Sequence, residues 1–318
     1  MNHTHPDDNF KETLSKKIAN RDIVAGVVGL GYVGLPLAVE TAKAGFKTIG
    51  FDVKKEKVDS VNKGLNYIGD VADADLKKLV EQGMLVATTD FCNIENVDLV
   101  AICVQTPLDE HRHPDMSYVK AAATSIAKHL HKGMMVTLES TSYPGTTEEI
   151  VKPILESSGL KCGQDFYLGF SPERIDPGNS TYNTKNIPKV VGGLGADAGE
   201  IISAMYEAVL EHKVFRASTP AVAETAKMLE NAYRNVNIGL INEFAIFCNE
   251  MGIDIWEVIE ASKTKPFGYA PFYPGPGIGG HCIPVDPCFL NYKANAYGFR
   301  FSTIEASTEV NDLCPPIV

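Results

Sequence analysis

The stretch DIVAGVVGLGYVG, residues 22–34, is the clearest indication of how this chain folds. Its first seven residues are rich in β-branched side chains, which predicts a buried strand. The glycine-rich turn GLGYVG follows at once, and residues 33–44 then have a helical pattern. A second apolar run, over residues 47–51, ends at Asp52. The order of strand, turn, helix and strand predicts one complete βαβ unit.

The spacing of the glycines predicts a dinucleotide site in this turn. The first glycine permits the tight turn, the second lets a pyrophosphate approach the backbone, and the third lets the helix pack on the strand. Asp52 lies where an acid accepts the ribose hydroxyls and repels a 2′-phosphate, so NAD is favoured over NADP. A glycine-rich turn that serves only packing is the alternative. The candidate cofactor residues of the turn are Gly29, Leu30, Gly31, Tyr32, Val33 and Gly34.

The alternation of apolar runs and helical patterns predicts an α/β, Rossmann-like domain over residues 1–217. We expect a doubly wound parallel sheet of about seven strands or more. Thr106 and Thr141 each follow a predicted strand, at the sheet edge where ligands bind, so both are candidate cofactor contacts. A helix cap is the alternative role for each threonine. Further strands are predicted over residues 97–103, 134–138, 166–170, 189–191 and 213–215, and helices over 73–82, 117–131 and 196–210.

The pattern becomes helical afterwards, which predicts an all-helical central domain over residues 218–318. Thr219 and Pro220 are a cap and a first-position proline, and an apolar-periodic helix follows to about Met251. At ~1.5 Å per residue this helix is about 50 Å long, which favours a spine that also offers a dimer surface. Lys227 and Asn231 are four residues apart on it, hence on one face. Shorter helices are predicted over residues 255–262, 288–297 and 302–312.

Composition excludes several classes of function. A net charge of -11 argues against a polyanion-binding surface, so no nucleic acid partner is expected. The seven cysteines include no CxxC pair, which disfavours a zinc ribbon or a disulfide scaffold and favours the cytoplasm. His111 and His113 are expected to be solvated, and no metal is predicted. The N-terminus lacks the apolar core of a signal peptide, and the uncharged residues 23–39 are interpreted as strand and turn rather than a membrane span.

The stretch YPGPGIGGHCIPVD, residues 273–286, carries the candidate nucleophile Cys282. Glycines let a substrate approach the backbone closely, and the prolines stiffen the loop. A cysteine on such a loop has the exposure that a reactive thiolate needs. The alternative is a surface loop with an incidental thiol. Asp286 lies four residues beyond the cysteine.

A dinucleotide site and a nucleophilic cysteine together suggest oxidation beyond an aldehyde. The thiolate adds to the aldehyde, a second oxidation leaves a thioester, and water releases the acid. An ammonium and an amide, from Lys227 and Asn231, would stabilise the oxyanion of each tetrahedral step. A carboxylate that activates water or tunes the lysine is expected from Asp286 or Glu173.

These motifs resemble the UDP-glucose/GDP-mannose dehydrogenase family. The resemblance rests on GLGYVG, residues 104–107, SPER at 171–174, Lys227-x-x-x-Asn231 and GGHC-x-x-x-Asp286, and it runs from about Arg21 to Asp312. It implies that Cys282 is the nucleophile and that Thr141 and Glu173 position water, with Lys227, Asn231 and Asp286 as the other catalytic residues. The cofactor contacts it implies are Asp52, Lys57, Thr106, Pro107, Ser140 and Thr141. The substrate contacts it implies are Glu173, Arg174, Lys227, Asn231, Tyr273, Gly275, Gly277, Gly279 and Gly280.

The forms SPERIDPG and GPGIGGHC are similar to the branch of this family that acts on UDP-N-acetylhexosamines, UDP-N-acetylglucosamine among them. This implies oxidation of the C6 alcohol to a carboxylate, with NAD, to make a precursor of surface polysaccharides. Pro177 stands where the UDP-glucose branch has a second glutamate, so no role is carried over to that position. Family members continue into a third domain that binds the nucleotide sugar, and we expect this chain to lack it.

Two other functions remain open from the sequence. A β-hydroxyacid dehydrogenase has a similar layout with a lysine and an asparagine four apart, but it makes a single hydride transfer and needs no Cys282. A non-catalytic, dimeric NAD-binding module is the other. In every case a homodimer through the long helix is expected, because that helix carries more apolar surface than one short domain covers.

Overall fold

The computed structural model describes residues 9–69, 71–175, 181–182, 184–280 and 282–314. Pro177 and His281 lie outside the described residues. The chain forms two compact units. One consists of Met1–Thr106 with Asp115–Thr225, and the other of Pro107–Pro114 with Ala226–Val318. The domain boundary expected between residues 217 and 218 stays a prediction.

The first unit contains one eight-stranded sheet in the order β3-β2-β1-β4-β5-β6-β7-β8. Neighbouring strands are parallel except β6 and β7, so the predicted doubly wound parallel architecture is confirmed with one reversal. In register, Ala25 pairs with Thr48 on one side and with Leu99 on the other. The strands are β1 (Val24–Val28), β2 (Lys47–Phe51), β3 (Leu85–Thr88), β4 (Leu99–Ile102), β5 (Met135–Leu138), β6 (Tyr167–Phe170), β7 (Val190–Gly193) and β8 (Phe215–Ala217).

The helices of this unit cover the sheet, whose central strands are buried along their whole length. They are α1 (Phe10–Asn20), α2 (Gly34–Lys43), α3 (Lys55–Asn62), α4 (Asp73–Glu81), α5 (Ser117–Ala127), α6 (Lys152–Glu156) and α7 (Ala196–Val209). A 3₁₀ turn at Phe91–Asn96 and a π-helical turn at Thr147–Val151 join them. Parallel strands that are covered on both faces form near-continuous apolar runs, as these strands do.

Helix α1 was not predicted from the sequence, because its composition is mostly polar. Asn9 caps it by accepting a hydrogen bond from the Glu12 amide. Leu14 and Ile18, four residues apart on one face, are buried in the core of the unit. Tertiary packing of two side chains therefore fixes a helix whose intrinsic signal is weak.

The second unit is helical. It contains α8 from Ala226 onwards, α9 (Ile255–Lys263), α10 (Cys282–Asn295) and α11 (Ser302–Leu313). Helix α8 spans Pro220–Met251, as the sequence predicted. Asp254 caps α9 by accepting a hydrogen bond from the Trp256 amide at 2.9 Å. No helix in the described ranges is both long and apolar enough to cross a lipid bilayer.

The predicted start of α10 is wrong. The sequence placed it at Cys288, but the helix begins at Cys282. Pro284 and Pro287 both lie in the added part of the helix, and Pro287 is inside it, where it removes one backbone donor without ending the helix. Pro284 lies in the first turn, where backbone N–H groups have no helical partner in any case, so it does not interrupt the helix.

Buried amides join α8 and α11 inside the second unit. Asn242 donates a hydrogen bond to the Asn311 side chain at 3.0 Å, and Asn311 donates to the Asn235 carbonyl at 3.2 Å. The Ser307 hydroxyl donates to the Asn235 side chain at 2.5 Å. These partners are almost fully buried, so each hydrogen bond avoids the cost of an unsatisfied polar group.

Gly239 allows this close crossing, and it provides a test. A Cβ atom at residue 239 would lie 2.9 Å from the Ser307 Cβ and 3.0 Å from its carbonyl oxygen. Alanine gains about 1 kcal/mol of helix propensity, whereas overpacking costs about 1–3 kcal/mol. We expect Gly239→Ala to lower the free energy of unfolding by roughly 1 kcal/mol net.

The measurement is urea unfolding, with Gly69→Ala as the control. A Cβ atom at residue 69 would meet nothing within 4 Å. This substitution should leave stability unchanged or slightly raised. If Gly239→Ala were as stable as Gly69→Ala, α8 and α11 could move apart without loss of stability, and the close crossing would not be required.

Candidate active site

The three glycines of the first turn have three different surroundings. Gly29 has a φ of 97°, and a Cβ atom there would lie 2.6 Å from the Cys103 carbonyl oxygen. At Gly34 a Cβ atom would lie 1.8 Å from the Gly29 carbonyl oxygen, so α2 packs directly on the turn. At Gly31 it would meet nothing within 4 Å. The turn therefore leaves open backbone at its middle glycine, which fits the approach of a pyrophosphate to the helix N-terminus.

Asp52 is held rigidly at the end of β2. Its carboxylate accepts hydrogen bonds from the Leu30 and Lys54 amides, each at 2.9 Å, and lies 3.3 Å from the Lys57 ammonium. Tyr67 donates to the Leu30 carbonyl at 2.8 Å. Burial and the charge of Asp52 both raise the pKa of Tyr67, which keeps the phenol protonated as a donor. These contacts tie the predicted ribose acceptor to the predicted pyrophosphate turn.

Ser140 joins the ends of β4 and β5. Its hydroxyl donates to the Val104 carbonyl at 2.7 Å, and its amide donates to the Ile102 carbonyl at 3.1 Å. Thr106 is buried, and Thr141 is half-buried just beyond the Ser140 link. Because β1, β4 and β5 are adjacent and parallel, these predicted cofactor residues lie at the same sheet edge as the glycine turn. Pro107, by contrast, begins the segment that groups with the second unit.

Glu173 follows β6 at this edge. Its carboxylate accepts hydrogen bonds from the Arg174 and Ile175 amides at 2.7 and 2.9 Å, so the side chain shapes its own loop. The Arg174 guanidinium donates to the Pro188 carbonyl at 2.7 Å. The structure thus gives Arg174 a structural hydrogen bond in addition to the substrate contact predicted for it.

Two buried carboxylates of the first unit escaped the sequence analysis. Glu224 accepts hydrogen bonds from the Gly145 and Thr147 amides and from the Thr147 hydroxyl, so it fixes the chain just beyond Thr141. Burial raises the pKa of Glu224. Glu139 forms a buried ion pair with Lys189. The sequence could not predict these contacts, because the partners lie 50 or more residues apart in the chain.

The second unit brings together three of the predicted catalytic residues. Lys227, Asn231 and Asp286 are 7%, 6% and 1% exposed. The Asn231 amide nitrogen donates a hydrogen bond to the Asp286 carboxylate. Lys227 lies one helical turn before Asn231, and within the described ranges its Nζ atom has neither a hydrogen-bond nor an ion-pair partner. A buried ammonium without a protein partner is suited to stabilising an oxyanion.

Cys282 is the first residue of α10 and is exposed. Asp286 is four residues further along this helix, so the thiol and the carboxylate share one helix face. The first turn of a helix presents unpaired N–H groups, which favour negative charge. The nucleophile predicted on a loop therefore sits on a rigid element that also carries Asp286.

The predicted substrate loop, residues 273–280, is anchored by a side chain that the sequence analysis missed. The Gly275 amide donates to the buried Asn242 side chain at 3.0 Å, so the loop is attached to the amides between α8 and α11. Gly277 and Gly280 have φ values of 95° and 84°, which favour glycine. Cβ atoms at Gly275 and Gly279 would meet nothing within 4 Å, so the loop keeps an open backbone face.

Aromatic rings surround the start of this loop. The Trp256 and Tyr273 rings stack with centroids 6.1 Å apart, and the Lys263 ammonium lies 5.8 Å from the Tyr273 centroid. His113, at the predicted solvated pair, contacts the Tyr292 ring at 5.5 Å. Among the residues that the structure describes, no group of three or more His, Cys, Asp or Glu side chains could hold a metal ion.

Comparison with known families gives two matches that together cover most of the chain. The NAD binding domain of the UDP-glucose/GDP-mannose dehydrogenase family matches residues 23–210, and the central domain of the same family matches residues 221–313. The chain belongs to the UDP-glucose/GDP-mannose dehydrogenase family. Membership makes it an oxidoreductase of the nucleotide-sugar dehydrogenase class, with NAD as cofactor.

Relatives in this family act on several sugars. The chain is 41% identical over 293 residues to a UDP-N-acetyl-D-glucosamine 6-dehydrogenase of Pseudomonas aeruginosa, covering 92% of this chain and 68% of the relative. It is 35% identical to an NDP-N-acetyl-D-galactosaminuronic acid dehydrogenase of Ralstonia nicotianae, covering 92% and 69%. The solved UDP-D-ManNAc dehydrogenase of Pyrococcus horikoshii superposes with a TM-score of 0.87 at 33% identity, over 93% of this chain and 69% of that one.

The open space at Gly31 predicts a substitution that affects the cofactor but not the fold. We expect Gly31→Ala to retain wild-type stability, because its methyl group meets no atom of the chain. The methyl group would occupy the space a pyrophosphate needs, so the Kd for NAD should rise at least about tenfold, or ~1.4 kcal/mol. Isothermal titration with NAD measures the change.

The matched comparison is Gly34→Ala, which should lower the free energy of unfolding, because its methyl group collides with the Gly29 carbonyl. A Gly31→Ala variant that binds NAD with wild-type affinity would contradict the assignment of this glycine to the pyrophosphate.

Proposed function

We propose that this protein oxidises the C6 alcohol of a UDP-N-acetylhexosamine to the carboxylate through a thioester on Cys282. The observation that carries the proposal is the arrangement on α8 and α10. Exposed Cys282 shares a helix face with Asp286, and Asp286 accepts a hydrogen bond from Asn231, one turn from the buried ammonium of Lys227. A one-step alcohol oxidation needs no nucleophile, whereas a two-step oxidation does.

The residues of the chain have separate tasks in this reaction. The glycine turn and Asp52 would hold NAD, which would supply the hydride acceptor for both oxidations. Between them, the Cys282 thiolate adds to the aldehyde carbon, and the new C–S bond places the negative charge on the former carbonyl oxygen. Lys227 and Asn231 stabilise that oxyanion, while the hydrogen bond to Asp286 orients the Asn231 amide and leaves its second N–H available. Loss of the second hydride leaves the thioester.

Hydrolysis completes the reaction. Water adds to the thioester carbon, the C–S bond breaks, and the carboxylate and the Cys282 thiol are released. Thr141 and Glu173 are proposed to position this water, with Glu173 accepting its proton. The hydrogen bonds from the Arg174 and Ile175 amides hold the Glu173 carboxylate in place for this role.

The N-acetylated sugar is proposed from the relatives, which include enzymes named for gluco-, galacto- and manno-configured substrates. We propose UDP-N-acetylglucosamine first, since the relative of that name is 41% identical. The product would be a UDP-N-acetylhexosaminuronate. Reduced cysteines throughout the described ranges support a cytoplasmic site for the reaction.

The stoichiometry of NADH distinguishes this function from a β-hydroxyacid type of oxidation. The proposed route forms two NADH per acid, and a single hydride transfer forms one. We expect Cys282→Ser to abolish acid formation, because the alkoxide is a poor substitute for the thiolate, and to keep NAD affinity within about threefold, or ~0.7 kcal/mol. NADH absorbance and chromatography of the sugar nucleotide measure both quantities.

Cys288→Ser is the matched control, because Cys288 is on the same helix but half-buried, and burial raises its pKa. It should retain two NADH per acid. Acid production by Cys282→Ser at the wild-type stoichiometry would contradict the thioester mechanism.

We infer that the protein is a homodimer through α8. Its exposed apolar residues fall within about 60° of one another around the helix axis. Leaving such side chains in water costs roughly 1.5–3 kcal/mol each relative to full burial, and a two-fold contact buries the same stripe on both chains. Val236 and Ile241, also expected in the stripe, are half-buried. The exposed members are Val222, Leu229, Tyr233, Leu240, Phe244, Phe247 and Met251.

Sedimentation at micromolar concentration tests the dimer. We expect wild type to sediment at twice the monomer mass and Phe247→Glu to shift it toward monomer, because a charge within an apolar contact is costly to desolvate. Asn249→Glu adds the same charge on the opposite side of the helix and should leave the dimer intact. A wild-type monomer at this concentration would refute the interface.

A further inference from the structure

Lys189 is a buried cation at the sheet edge that carries the proposed water-positioning residues. Its Nζ atom lies 2.6 Å from a carboxylate oxygen of Glu139 and 3.4 Å from the Pro172 carbonyl. Both side chains of the ion pair are buried, at 7% and 0% exposure. The ammonium thus contacts the chain two residues before Thr141 and one residue before Glu173.

The single reversal in the sheet explains why this lysine reaches the site. Strands β5 and β6 are parallel and end at the candidate active edge. Because β7 is antiparallel to β6, with Phe170 paired to Gly192, the start of β7 lies at that same edge. Lys189 immediately precedes β7. A parallel β7 would have placed this residue at the opposite edge.

The surroundings of Lys189 oppose its neutralisation. Burial alone would lower its pKa, but the charges of Glu139 and Glu173 outweigh that effect and raise the pKa overall. The Tyr206 hydroxyl donates to the other oxygen of Glu139 and is 3.1 Å from the Thr137 hydroxyl. Burial and the Glu139 charge raise the pKa of Tyr206, so it remains a donor. The carboxylate is therefore held from two sides.

We propose that Lys189 is a positioning residue for thioester hydrolysis. Its ammonium joins two segments, because it contacts Glu139, two residues before Thr141, and the Pro172 carbonyl, one residue before Glu173. The effect on hydrolysis rests on the proposed function, whereas the contacts of Lys189 with Glu139 and the Pro172 carbonyl do not. Thr141 and Glu173 lie on segments that follow different strands. The two residues can hold a water molecule in position for attack only if the distance between the two segments is fixed. A shift of about 1 Å can cost on the order of 100-fold in rate.

The position is also electrostatically specific. Lys189 forms its ion pair with Glu139, and the charges of both Glu139 and Glu173 raise its pKa. An apolar side chain in its place would leave Glu139 buried and uncompensated, which is strongly destabilising. An arginine would retain the charge and the hydrogen-bonding capacity. Comparing the two replacements shows whether the charge and hydrogen bonds of Lys189, or only its packing, are needed.

The test compares Lys189→Met, Lys189→Arg and the neutral double variant Glu139→Gln/Lys189→Met. The double variant removes both charges, so it leaves no isolated buried ion and should fold even where Lys189→Met does not. Tyr206→Phe is the control, because it removes a hydrogen bond from Glu139 but leaves Lys189 in contact with both segments. Each protein is mixed with UDP-N-acetylglucosamine and NAD, and intact mass spectrometry follows the acyl adduct on Cys282.

We expect the double variant to accumulate the adduct, because thioester hydrolysis is slowed at least about tenfold while the earlier steps proceed. Lys189→Arg, which keeps the positive charge beside Glu139, should hydrolyse the thioester faster than the double variant. Tyr206→Phe should lose stability but form no excess adduct. A double variant that hydrolyses the thioester at the wild-type rate would overturn the proposal.

Hydrogen exchange of the amides at 173–175 provides a readout that requires no turnover. We expect faster exchange in the double variant and wild-type exchange in Tyr206→Phe, because only the former loses the contact with the Pro172 carbonyl. If the wild type forms neither NADH nor an adduct, the proposed function fails, and exchange alone decides whether Lys189 holds the segment. Equal exchange in all variants would reject the positioning role.

Discussion

The contact between Gly34 and the Gly29 carbonyl is the constraint on which the first unit depends. Helix α2 can start on top of the turn only because residue 34 has no Cβ atom, which would lie 1.8 Å from that oxygen. This contact places the N-terminus of α2 over the end of β1 and leaves the backbone at Gly31 open. The Asp52 carboxylate accepts a hydrogen bond from the Leu30 amide, so the end of β2 is joined to the predicted NAD-binding turn.

The second unit depends on buried amides rather than on backbone packing alone. Asn231 orients Asp286, and Asn242 connects the Gly275 loop to Asn311. Each such group is satisfied by a specific partner, because an unsatisfied buried amide costs about 1–3 kcal/mol. Helix α10, the predicted substrate loop and α11 are thereby attached to one helix, α8. Lys227 is the exception, with no partner in the described ranges, which suits the oxyanion-stabilising role proposed for it.

Local signals identified those parts of the fold and site that are contiguous in the chain. The glycine spacing, the strand that ends at Asp52 and both ends of α8 follow from periodicity, propensity and capping. Helix α1 was missed because its sequence is mostly polar and the burial of Leu14 and Ile18 is decided by tertiary packing. The start of α10 was misplaced because the glycine- and proline-rich stretch before residue 288 has the composition of a loop, although Pro284 and Pro287 both lie in the helix.

The family could be read from the sequence alone, and the NAD-binding turn and the nucleophile Cys282 could be predicted from it, because each corresponds to a short motif with a defined spacing. The distant residues that support these motifs became visible only in the folded chain. Asn242 and Lys189 lie 33 and 50 residues from the groups they hold. No local sequence pattern predicts these two residues, because a buried polar side chain needs a hydrogen-bond partner that only the fold brings near. The antiparallel β7 brings Lys189 to Glu139, and the crossing of α8 and α11 brings Asn242 to Asn311.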